Sequence, residues 1–164
     1  MRNIIASALF IALITVTTMF VKIPLALFGY VHLGDLFIFL ACFMLKPKYS
    51  IVVGGVGSAL ADLFLGFAVY APATLVIKAL VALSFSLVVY NKPALVREVL
   101  AVIFGTLIIG GGYLIYEGIL YGFGAAIVNL PFNLIQGAVC GGLAIILIKI
   151  LEKIPSIRDF RNKL

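Results

Sequence analysis

The residues able to do chemistry in this chain are few, and they stand out by context. Asp35, Asp62 and Lys78 are charges set in apolar sequence, Tyr113 and Glu117 close an apolar run, and Asn129, Asn133 and Gln136 recur at i, i+4 and i+7. On a helix that last spacing puts three amides along one face. In a water-soluble protein such residues would be ordinary. This chain is 65% hydrophobic and 11% charged, with mean hydropathy +1.29, and its apolar runs reach the ~20 residues needed to cross a bilayer. Charges at membrane depth are costly, so they face a partner, a ligand or a water-filled cavity. The chemistry on offer is recognition of a polar solute. No nucleophile–base pair, ATP motif or hydrolytic acid pair is present, so neither an enzyme nor a cofactor is expected.

Each feature has a purely structural alternative. Lys78 with Asp62 or Asp35 is either an ion pair that fixes helix register or the polar floor of a binding site, and one pair can do both. The three amides can bond neighbouring helices or a heteroaromatic solute, with Pro131 between them removing a backbone donor. His32 is the only histidine and has no Cys, His or acidic ligand at regular spacing beside it, so no metal site is expected. Cys42 and Cys140 lie in apolar segments and read as small buried hydrophobes.

The elements that must position these residues are six transmembrane helices in one domain, 1–164: about 4–21, 32–46, 48–64, 72–90, 95–116 and 125–152. The first run mimics a signal peptide but lacks a cleavage site leading into a polar domain, so it reads as the first span. The second is short for a span. Breaks fall at Pro24 and Gly29, at an aromatic turn over 66–71, at Asn91-Lys92-Pro93 and at a Gly-rich turn over 117–124, with a basic tail at the end. Arg2, Lys46, Lys48, Lys92, Arg97, Lys149, Lys153, Arg158, Arg161 and Lys163 fall at one side, ten of the twelve basic residues. They mark the cytoplasmic face and place both termini there. The net charge of +6 thus orients the chain in a bilayer and does not point to nucleic acid. The polar residues then collect in the outer half, which describes a cup open to the outside; a channel would be lined throughout.

Small residues supply packing surfaces. Gly54, Gly55 and Gly57 precede Ser58, Ala59 and Ala61 by four residues, and Gly137 precedes Gly141; such rows let helix backbones approach closely in lipid. Ala8 and Ala12 make a similar stripe on the first helix, open to internal packing or to another protein.

Taken in order, Ala8-xxx-Ala12, HLGD (32–35), GGVGSALADLFLG (54–66), YAPATLVIK (70–78) and NLPFNLIQG (129–137) resemble the substrate-binding S components of energy-coupling factor (ECF) vitamin transporters over nearly the whole chain. The resemblance implies a multi-pass protein of a prokaryotic cell membrane that binds a vitamin from outside, beneath the loop after the first helix. It also implies partners: a transmembrane T component, docking at Ala8 and Ala12, and two cytoplasmic ATPases that supply the energy, with the S component toppling in the membrane to release its substrate. The absence of Trp disfavours a thiamine-type site, and Met1-Arg2-Asn3 lacks the N-terminal histidine of nickel or cobalt carriers. The pattern is most similar to the riboflavin-like and hydroxymethylpyrimidine/pyridoxine-like subgroup. Tyr113, Tyr116, Asn129, Asn133 and Gln136 suit a small hydroxylated ring, so vitamin B6 or a pyrimidine precursor ranks first and riboflavin second. A self-sufficient small carrier is the rival reading.

Overall fold

The computed structural model describes residues 1–25, 29–90 and 94–162; the expected turn at 91–93, with Lys92, and the terminal Lys163 lie outside them. The chain is mostly helical: α1 (Arg2–Phe20), α2 (Gly34–Met44), α3 (Pro47–Phe64), α4 (Ala71–Val89), α5 (Leu95–Tyr121), α6 (Phe123–Leu151) and α7 (Pro155–Asn162), with a two-stranded hairpin, β1 (Lys22–Pro24) and β2 (Tyr30–His32), between α1 and α2. Pro47 and Pro72 sit in the first turns of α3 and α4, where a missing N–H costs nothing. Gly122, at φ 90°, separates the two longest helices, a conformation glycine adopts without strain.

Four helices, α1, α4, α5 and α6, are long and apolar enough to cross a membrane. The six expected helices are present, but they are not six equal spans. With 11 residues, α2 is roughly 16 Å long, against a hydrocarbon core of about 30 Å. It begins at Gly34, two residues later than expected, because the chain before it is committed to the hairpin. That hairpin was expected to be an irregular loop; it pairs Lys22 with His32, Ile23 with Val31 and Pro24 with Tyr30.

The short helix is the centre of the bundle. It contacts α1, α3, α4 and α6, and Ile38, Phe39, Ala41, Cys42 and Leu45 are completely buried. A helix enclosed on all sides has no polar stripe, which explains the unbroken apolar run FIFLACFM. Near its C-terminal end α7 lies against the bundle. Ile157 packs on the core, and Arg161 donates to the Tyr90 carbonyl at 2.8 Å with its guanidinium 4.5 Å from the Phe43 ring centre. The expected basic tail is thus a helical cap, and burial lowers the Arg161 pKa.

The glycine rows do pack helices. A Cβ on Gly55 would lie 2.8 Å from the Leu75 carbonyl of α4, and one on Gly57 3.0 Å from Ile14 of α1. The α1 stripe does not: Ala8 and Ala12 are exposed, while Ala6, Ile14, Thr15 and Thr18 form the packed face.

Two adjacent glycines of α6 give opposite expectations. A Cβ on Gly141 would sit 2.3 Å from a Val102 methyl of α5, whereas one on Gly142 meets nothing within 4 Å. Val102 is β-branched on a helix and cannot readily swing away. Gly141→Ala should lower the melting temperature in detergent. Gly142→Ala should raise it slightly, by the ~0.5–1 kcal/mol of helix propensity that glycine forfeits.

Candidate functional site

Beneath the hairpin the helices surround a narrow, partly open pocket. The hairpin contributes Tyr30 and His32 to its lining, and Leu25 and Gly29 reach it from the connecting segment. The α3–α4 region contributes Asp62, Phe67, Tyr70 and Thr74; α5 contributes Tyr113 and Glu117; α6 contributes Asn133 and Gln136. A second, more open and largely apolar groove lies on the far side of His32 and Gln136, against Phe20, Val31, Phe132 and Ile135. The polar convergence belongs to the first.

The floor is built on a buried ion pair. Lys78 Nζ lies 2.7 Å from Asp35 Oδ2, and both side chains are 0% exposed. Gln136 Nε2 donates to the same oxygen at 2.6 Å, while Gln136 Oε1 accepts the His32 backbone N–H at 2.9 Å. Asp35 sits in the first turn of α2, where the helix dipole favours a carboxylate. Lys78 Nζ also lies 5.4 Å from the Tyr113 ring centre. Of the two acids considered for Lys78, the structure selects Asp35.

The walls carry hydrogen-bonding groups facing inward. Asp62 Oδ1 accepts the Tyr30 hydroxyl at 2.5 Å, and its Oδ2 has no partner among the described residues. Burial, reinforced by Asp62, raises the Tyr30 pKa, so the phenol stays a donor. Thr74 and Tyr113 share a hydroxyl–hydroxyl bond of 2.9 Å. At the rim, Glu117 accepts from Tyr70 and from the Asn129 amide, each at 3.3 Å, and Tyr116 donates to the Val69 carbonyl. His32 Nδ1 accepts the Gly34 N–H at 3.0 Å. Burial, its largest influence, holds that imidazole at a pKa of about 4, so it is neutral at physiological pH.

The residues expected from sequence divide between lining and support. Asp62, Tyr113, Glu117, Asn133 and Gln136 line the pocket. Asp35 and Lys78 lie behind its floor, and Asn129 backs Glu117. Glu117, expected in a turn, is inside α5, which runs on to Tyr121; a helix holds the carboxylate inward where a turn would not fix it. Tyr30, Phe67, Tyr70 and Thr74 were missed, as was the lining role of His32. The aromatic turn at 66–71 was visible, but nothing local says that it folds over a cavity. Among the described residues, no cluster of three or more His, Cys, Asp or Glu side chains could hold a metal ion.

Comparison with known proteins agrees with this architecture. Residues 1–153 match the family described as ECF-type riboflavin transporter, S component. The chain is 35% identical over 141 residues to an uncharacterized protein in the gap 3′ region of Pyrococcus woesei, covering 83% of this chain and 95% of that one. It is 30% identical over 133 residues to the thiamine precursor transporter HmpT of Lactococcus lactis subsp. cremoris, covering 78% of this chain and 73% of the relative.

Two measurements probe the floor. Lys78→Met leaves Asp35 charged and stripped of its cation, and should cost about 3–5 kcal/mol; Lys78→Met with Asp35→Asn should recover most of it in thermal unfolding. The pH dependence follows from His32. Its folded pKa is depressed from 6.5 to about 4, so its contribution is fully present above pH 6.5 and is lost as the pH falls towards 4. The melting temperature should drop across that window, and less steeply in His32→Asn.

Proposed function

The chain belongs to the ECF-type riboflavin transporter S-component family, and from that premise we propose that its substrate is a single-ring heteroaromatic vitamin or precursor of the B6 or hydroxymethylpyrimidine type. The observation that carries this reading is the chemistry of the pocket lining. Its walls alternate aromatic rings with polar groups, including the unpaired Asp62 oxygen. A ring stacked among Tyr30, Phe67, Tyr70 and Tyr113, with hydroxyl or amino groups turned to Asp62 and Asn133, satisfies both. The thiamine precursor named for the Lactococcus relative supports the same class.

Riboflavin is the second reading, favoured by the description of the family. Either ligand requires the pocket beneath the hairpin to widen, and a three-ring ligand with a polyol chain requires the larger opening.

In this reading the hairpin end faces outward and the basic end, with α7, faces the cytoplasm of a prokaryotic cell. Solute enters beneath the hairpin, and a T component with two ATPases supplies the energy. The exposure of Ala8 and Ala12 supports α1 as the face where the T component packs, since small side chains allow close helix approach. The six helices then form a multi-pass bundle in which the short α2 packs inside, against α1, α3, α4 and α6.

Calorimetric titration with pyridoxine, hydroxymethylpyrimidine and riboflavin tests the substrate class. One of the two single rings should bind most tightly, and preference for riboflavin would overturn the ranking. Asn133→Ala should weaken that binding by about 1–3 kcal/mol, the cost of a lost buried partner, with the melting temperature of the empty protein unchanged. Gln136→Ala is the poorer probe, because it also strips Asp35. Ala12→Leu should abolish uptake in cells while leaving affinity intact; loss of both would place the stripe in internal packing.

A further inference from the structure

The hydrogen-bond network around His32 defines which of its ring nitrogens carries the proton. Gln136 cannot be turned around: one end of its amide donates to Asp35 Oδ2 at 2.6 Å, and the other accepts the His32 N–H at 2.9 Å. Reversing it would set oxygen against carboxylate and N–H against N–H. The amide nitrogen is therefore also the atom that lies 3.4 Å from His32 Nε2. At the other side of the ring, Nδ1 accepts the Gly34 backbone N–H at 3.0 Å, with the Thr18 hydroxyl at 3.3 Å. A neutral imidazole that accepts at Nδ1 carries its hydrogen on Nε2. That N–H faces an amide nitrogen that is itself a donor, and among the described residues it has no acceptor.

We infer that His32 is a specificity-determining residue of the pocket, whose Nε2–H donates a hydrogen bond to an acceptor atom on the ligand, a ring nitrogen or carbonyl oxygen. The inference rests on the proposed function and sharpens it: the ligand must offer an acceptor towards the hairpin and a donor towards Asp62. An aminopyrimidine has both on one small ring. Asp62 Oδ2 and His32 Nε2–H are a complementary pair left unfilled near Tyr30, whose ring centre is 5.5 Å from that of His32 and whose hydroxyl donates to Asp62 Oδ1. A site arranged in this way rejects a ligand lacking either group, because its own polar atoms stay unpaired.

The competing explanation is that His32 serves only to hold the start of α2 through Gly34. His32→Asn separates the two, because an Asn side-chain oxygen can accept the N–H two residues on but is too short to replace Nε2. The chain has one histidine, so a protein made with 15N-labelled histidine and a histidine-free affinity tag shows a single imidazole. In the ligand-free protein in detergent, Nε2 should be the protonated nitrogen and Nδ1 the bare one; the opposite tautomer overturns the inference. In titrations with hydroxymethylpyrimidine, His32→Asn should bind at least tenfold more weakly than wild type at an unchanged melting temperature. Among analogues with one ring nitrogen replaced by C–H, one should lose affinity for wild type and lose nothing further for His32→Asn. Equal affinity of both proteins for the parent compound, or equal losses across every analogue, overturns the inference. If wild type binds pyridoxine or riboflavin instead, the pyrimidine preference fails and the same comparison on that vitamin decides the role of His32. If wild type binds none of the three, the functional reading fails and the inference falls with it.

Discussion

The ion pair between Asp35 and Lys78 is the constraint on which the rest of the structure hangs. Its two charges have no access to solvent, and taking each out of water costs several kcal/mol. That cost is offset only if the partners stay in place. Asp35 belongs to α2 and Lys78 to α4, and Gln136 brings α6 to the same oxygen. Three helices are thereby held in one register at one depth. The same Gln136 reaches the hairpin through the His32 backbone, so the floor of the pocket and its cover share a single amide. A rearrangement that lifts the hairpin must uncouple it from Gln136, and one that slides α4 against α2 must break the pair.

Around this point the bundle solves a geometric problem. A helix bearing a buried charge must be surrounded, and α2 is packed by four neighbours over most of its length. Its start lies under the hairpin and its end above α7, so its termini are covered by the chain's own polypeptide. Glycines in α3 bring α1 and α4 close enough to leave no gap beside it. At the opposite end from the pocket, Lys149 bridges the buried Glu98 of α5 at 2.8 Å and Glu152 at 3.0 Å, tying the ends of the two longest helices. The ion pairs among the described residues thus sit towards the two ends of the bundle.

Much of this was legible in the sequence, and for identifiable reasons. Helices in lipid are marked by long apolar runs, and their small-residue rows by spacing, so α1, α4, α5, α6 and the packing glycines could be read directly. Asp62, Tyr113, Glu117, Asn133 and Gln136 were legible as polar groups that gather round one pocket because polar side chains at membrane depth are costly. The structured hairpin was not, because residues 22–32 carry two breakers and only three residues per strand. Its register is set by what lies under it, as when Gln136 pairs with His32 across 104 positions. The choice of Asp35 over Asp62 for Lys78 was hidden for the same reason: both acids lie at compatible depths, and only the packing of α2 between α4 and α6 decides. Tyr70 and Thr74 escaped notice because an aromatic and a hydroxyl at the start of an apolar helix are ordinary; the pocket alone makes them lining.

The central claim is that the pocket beneath the hairpin holds one small heteroaromatic ring. Mass spectrometry of the small molecules released from protein purified in mild detergent tests it most directly. The account predicts a single-ring vitamin or precursor at close to one per chain, lost from the Asn133→Ala protein. Recovery of riboflavin, or of the same amount of ligand from both proteins, would contradict it.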